Sequence, residues 1–92
     1  MRRVLAFYKF IDVADPHRRA EELQEIGEHH NVVGTVLLAS EGVNGTIVAE
    51  VDDLHAMISA LQQAFGDMSF KWSDLDSTGT GFHRFKVRVK PE

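Results

Sequence analysis

Arg84, Lys86, Arg88 and Lys90 stand at every second position near the end of the chain, alternating with Phe85, Val87 and Val89. On an extended strand this alternation sends all four cations to one side, roughly 6–7 Å apart, a spacing that suits successive phosphates. Lys9 would assist from the first strand, and Tyr8 or Phe82 would supply a ring for a base to stack on, as in sheet-based RNA binders. The plainer reading is that cations on an edge strand keep it in solution and refuse a further strand. A second group, Ser40-Glu41-Gly42-Val43-Asn44-Gly45-Thr46, combines a carboxylate, an amide, two hydroxyls and two glycines whose backbone N–H groups suit an anion nest. It has neither the lysine nor the spacing of a phosphate loop. It reads as a hairpin, with Asn44-Gly45 as the turn at positive φ.

No convergent catalytic set emerges. Ser40 as nucleophile would need His29, His30 or His83 beside it, and the spacing does not bring them together. Glu41 and Asp12 as acid and base are two carboxylates picked from fourteen. The adjacent His29-His30 fits a helix end, where a cation favours the dipole, better than a metal site. Trp72 reads as core. The chain has no cysteine, so thiolate chemistry, disulfides and cysteine-built zinc sites are excluded within it. No catalytic residue, metal or cofactor is expected in these residues.

The positions of those side chains depend on the elements that carry them. Ninety-two residues, 43% hydrophobic, with two prolines and no low-complexity stretch, suit one globular domain spanning 1–92. Arg3 to Ile11 reads as a strand. Asp15-Pro16 starts a helix, as N-cap and first-turn proline, that ends near His30-Asn31. Val32 to Ala39 and Thr46 to Ala49 read as the arms of the hairpin. Asp52 or Asp53 caps a second helix in which Leu54, Met57, Ile58, Leu61, Ala64 and Phe65 follow the helical period, and Gly66 ends it. Met68 to Ser73 is a short strand, 76–81 a polar loop, and Phe82 to Lys90 a final strand. The order β-α-β-β-α-β-β predicts an α+β, ferredoxin-like (acylphosphatase-like) two-layer sandwich, mostly antiparallel, with a βαββαβ core and one additional strand. Which of the last two strands takes the fourth core position stays open. No apolar run is long enough for a signal or a membrane span, and a cytoplasmic, membrane-free protein is expected.

The net charge is −4, yet the charge is segregated: residues 12–53 balance to −8 and residues 82–92 to +3. The strand 4–8 and the strand 32–38 are apolar on both faces. Either they are central, or a second domain, a second copy or a ligand covers the open face.

Phe7-Tyr8-Lys9-Phe10, the stretch from Gly34 through Glu41-Gly42-Val43-Asn44-Gly45-Thr46 to Ile47, and the closing Phe82 to Lys90 resemble the N-terminal domain of the rhodanese-related tRNA-uridine hydroxylases, the UPF0176-type proteins. The resemblance runs nearly end to end here but covers about the first third of a family member. In that family the wobble uridine of certain tRNAs is hydroxylated with oxygen, and the essential cysteine lies in a following rhodanese-like domain. The resemblance therefore implies an accessory module, non-catalytic by itself. It would bind tRNA through Lys9, Arg84, Lys86, Arg88 and Lys90, and shape the surface facing RNA or the rhodanese-like domain through Glu41, Gly42, Asn44, Gly45 and Thr46. One rival is a purely structural domain that packs on a partner or forms a homodimer. Another, less favoured, is an acylphosphatase-like hydrolase. That enzyme would need an arginine-bearing loop after the first strand, where Val13-Ala14-Asp15-Pro16 stands, with Arg18 and Arg19 following.

Overall fold

The helical period in 54–65 is realised in α2 (Val51–Phe65), whose Leu54, Met57, Leu61 and Phe65 all point inward and are buried. Its N-cap is Glu50, without a side-chain cap bond; Asp52 and Asp53 lie in the first turn, where carboxylates favour the helix dipole. At the other end Gly66 takes φ 82° and donates its N–H to the Gln62 carbonyl. The first helix, α1 (Pro16–His29), starts from Asp15 with proline in its first turn. His30, just after α1, meets Asp53 through Nδ1 at 2.8 Å and ties the two helices together.

The computed structural model describes residues 1–75 and 82–90, so the loop expected at 76–81 lies outside the described residues. Five strands complete the fold: β1 (Arg2–Phe10), β2 (Val33–Ala39), β3 (Gly42–Glu50), β4 (Phe70–Asp74) and β5 (Phe85–Val89). They form one sheet in the order β4-β1-β3-β2-β5. Every neighbouring pair is antiparallel except β2 and β5. This is the expected α+β sandwich, and β4 beside β1 takes the fourth core position. The additional strand is β5, on the opposite edge.

The hairpin is present but its turn is not at Asn44-Gly45. Ala39 pairs with Gly42, so Ser40 and Glu41 make the two-residue turn and Asn44-Gly45 sit within β3. Neither of the latter has positive φ. Gly45 is needed for a different reason: a Cβ there would lie 2.8 Å from both the Phe7 ring and the Thr35 carbonyl oxygen. The tip is held by the chain leaving β1, where Ile11 N–H donates to the Glu41 carbonyl and Val13 N–H to that of Ser40.

Residues alternate across the strands, and one set faces the helices. Leu5, Val36, Leu38 and Ile47 from the sheet meet Leu54, Met57 and Leu61, each fully buried. Seven such side chains removed from water are the main source of stability, at about 1.5–3 kcal/mol each. Trp72 packs against this core half-buried, with the Arg3 guanidinium 5.3 Å from its ring centre. At the β5 edge α1 approaches closely because residue 27 is glycine; a methyl group there would overlap the Phe85 ring. Gln24 completes this junction. Its Nε2 donates to the Phe85 carbonyl at 2.8 Å and its Oε1 accepts from Val87 N–H at 2.9 Å.

Candidate nucleic-acid interface

Among the described residues the other face of the sheet carries no helix, and the strand registers place its side chains in rows. Ser73, Val4, Val48 and Val33 lie side by side across β4, β1, β3 and β2. Val48 is only 1% exposed although it points away from the helix-side core, because Val4 and Val33 flank it. The next row runs Lys71, Ala6, Thr46, Thr35, Lys86, with small side chains in the middle and a cation on each edge strand. Four strand spacings separate those lysines by roughly 19 Å of backbone. The third row is Tyr8, Asn44, Leu37, Arg88. None of the three rows contains a carboxylate.

Two depressions open on this face. One, of about 580 Å³, is floored by Ala6, Thr35 and Thr46 and bordered by Tyr8, Asn44, Lys71 and Phe82. The other, of about 290 Å³, lies towards the hairpin tip among Tyr8, Phe10, Leu37, Asn44, Glu41 and Lys90. Tyr8 and Phe10 are 68% and 83% exposed, alternate residues of β1 with ring centres 6.0 Å apart at 72°.

The alternation read in the last strand holds over β5, but the strand is shorter than the expected 82–90 and leaves Arg84 and Lys90 outside it. Phe85 is buried and Val87 and Val89 are half-buried towards α1, while Lys86 and Arg88 are exposed on the bare face. Among the described residues neither meets a carboxylate. Arg84 is exposed just before β5, and its backbone carbonyl accepts from Gly34 N–H. Lys90 reaches Glu41 at 3.4 Å. That pair is solvent-exposed and contributes little, so it leaves the lysine available to another anion. Behind this basic edge α1 turns Glu21, Glu22, Glu25 and Glu28 to water. The charge separation along the sequence thus becomes a separation between layers.

Lys9 does not join the other cations. It shares its face with Leu5 and Phe7, on the helix side, and its Nζ donates to the carbonyls of Phe65 at 3.0 Å and Asp67 at 2.6 Å. A cation against the unpaired carbonyls ending α2 is well placed by charge and by hydrogen bonding. Of the hairpin set, Asn44 and Thr46 face the bare side, Glu41 forms the tip, and Gly42 and Gly45 serve backbone packing, Gly42 against the Lys9 carbonyl. Tyr8 and Phe10 are exposed on the bare side as well, and their parity with Val4 and Ala6 was the sequence signal for them.

The loop after β1 is not built for a phosphate. Asp15, at φ 52°, caps α1 by accepting from Arg18 N–H at 3.4 Å, which puts a carboxylate where an anion would sit. Arg18 and Arg19 both face Glu22, at 3.8 and 3.5 Å. Among the described residues no three His, Asp or Glu side chains gather as metal ligands would. No described helix is long and apolar enough to cross a membrane.

A sheet in this order with both helices on one side defines an acylphosphatase-like α+β sandwich. The Bacillus subtilis acylphosphatase superposes over 99% of this chain and all of its own, with a TM-score of 0.71 at 15% identity. The Coxiella burnetii acylphosphatase covers 97% of this chain and 93% of its own, with a TM-score of 0.65 at 14% identity. At such identities the likeness shows the fold alone. Residues 2–92 match the profile described as the UPF0176 acylphosphatase like domain, and the chain belongs to that family. Curated relatives carry the same stretch: the tRNA uridine(34) hydroxylase of Jannaschia sp. is 36% identical over 89 residues, 97% of this chain. That of Picosynechococcus sp. is 35% identical over 91 residues. The chain spans about 30% of the length of both relatives.

Proposed function

We propose that this domain is an accessory, RNA-holding module of a tRNA-uridine hydroxylase, with the reaction carried out by a rhodanese-like domain outside these residues. The observation that carries this reading is the bare sheet face, cationic on both edge strands and free of carboxylates across three rows. Lys86 and Arg88, with Arg84 and Lys90 beside them, hold phosphates, and Lys71 meets the strand as it crosses to the far edge. A polyanion is favoured over a second copy, because a face-to-face dimer would set these cations against their own images. Packing on the rhodanese-like domain, the second reading, draws on the apolar bed of Val4, Val48 and Val33.

Phosphate contacts release counterions, so affinity should fall steeply with salt. Titrating labelled tRNA against the chain at low and at moderate salt, the Lys86→Glu/Arg88→Glu variant should lose at least about tenfold in affinity and about two units of salt slope. Equal affinity and slope for the variant and the parent chain would overturn the RNA role.

A further inference from the structure

Resting on that RNA-facing reading, we infer that Tyr8 and Phe10 form a stacking site for unpaired nucleobases, so that the domain selects single-stranded over duplex RNA. The two rings are the most exposed large apolar groups within the strands, on an otherwise half-covered sheet. Their own packing does not account for that exposure, since alternate positions on the same face, Val4 and Ala6, are half-buried. The two rings meet edge to face at 72° and do not stack on one another, so neither ring covers both faces of the other against a flat partner. Asn44, opposite Tyr8 on β3 and exposed, presents an amide with both donor and acceptor capacity beside the ring.

Charge fixes the class of partner. Arg88 closes the row that begins at Tyr8, two strands beyond Asn44, and Lys90 and Glu41 border the depression beside Phe10. A nucleotide with its base on Tyr8 can therefore send its backbone across the small floor of Thr46 and Thr35 towards β5. Bases within a duplex are already stacked on one another and offer no free face. The cations then hold any RNA, whereas the rings distinguish its unpaired parts.

The test uses the full chain with a labelled single strand of about twelve nucleotides and a hairpin-free duplex of the same sequence, each titrated at two salt concentrations. Tyr8→Ala and Phe10→Ala should each weaken single-strand binding about tenfold, with duplex binding and the salt slope unchanged. Tyr8→Phe should retain the parent affinity, and Tyr8→Leu, which keeps bulk without a ring, should not. Thermal melts show that each variant is folded. If the alanine variants bind single strands as the parent does while Lys86→Glu/Arg88→Glu fails, stacking is overturned, the phosphate reading survives, and the rings belong to a protein contact. Equal loss on strand and duplex also overturns it. If the parent chain binds neither RNA, both readings fall together.

Discussion

The two faces of the sheet are built from the same five strands by alternate residues, yet they differ in what they expose. On one side Leu5, Ile47, Val36 and Leu38 meet the helices with nothing left exposed. On the other, Tyr8 and Phe10 stand in water between lysines and arginines. Apolar character in β1 therefore has two causes: in the odd positions it builds the core, and in the even positions it builds a surface. A strand apolar on both faces need not lie between two layers; here its second face carries two exposed rings beside exposed cations.

Substitutions can break this contrast or sharpen it. The largest effect should come from Leu61→Ala on the closed side, a cavity in a fully buried site that costs about 2–5 kcal/mol. Tyr8→Ala on the bare side should stay within about 0.5 kcal/mol, so denaturant unfolding of the pair measures the contrast directly. Comparable losses would mean the bare face is structural. Between these lies the sheet edge. Gln24→Ala strips the partners from Val87 N–H and the Phe85 carbonyl, and should cost about 1–2 kcal/mol. It should also shift the sedimentation profile towards oligomers as the β5 edge becomes open to strand addition. A smaller effect than at the core, about 1 kcal/mol, is expected of Lys9→Met, which removes the cation from the end of α2. Its RNA affinity should match that of the parent chain, because Lys9 is on the wrong side of the sheet to touch a bound strand.

How far the sequence announced these features depended on the range of the physics involved. Helical period placed the end of α2 as observed and its cap two or three residues late, and strict alternation in 84–90 placed Lys86 and Arg88 on one face, because both patterns are local. The turn was misread for the opposite reason. Asn44-Gly45 has the composition of a tight turn, but the pairing of Ala39 with Gly42 and the crowding of Phe7 over Gly45 are contacts between distant segments. These outweigh a two-residue preference. Lys9 was grouped with the basic strand by charge, although its parity with Leu5 and Phe7 already placed it on the covered side. What it touches there, the carbonyls of Phe65 and Asp67, requires knowing where α2 ends in space. The choice between β4 and β5 for the place beside β1 was not decidable from pattern, since both segments follow α2 and the local sequence does not say which strand each pairs with.

Gln24 gives the molecule a mechanical property. Its amide takes the position of a sixth strand's backbone, matching one carbonyl and one N–H of β5 from the middle of α1. Edge-strand amides ordinarily trade their hydrogens with solvent readily, but the Val87 amide can do so only when this side chain lets go. The exchange rate at one residue of the outermost strand thus becomes a gauge of how often a helix loosens from the sheet.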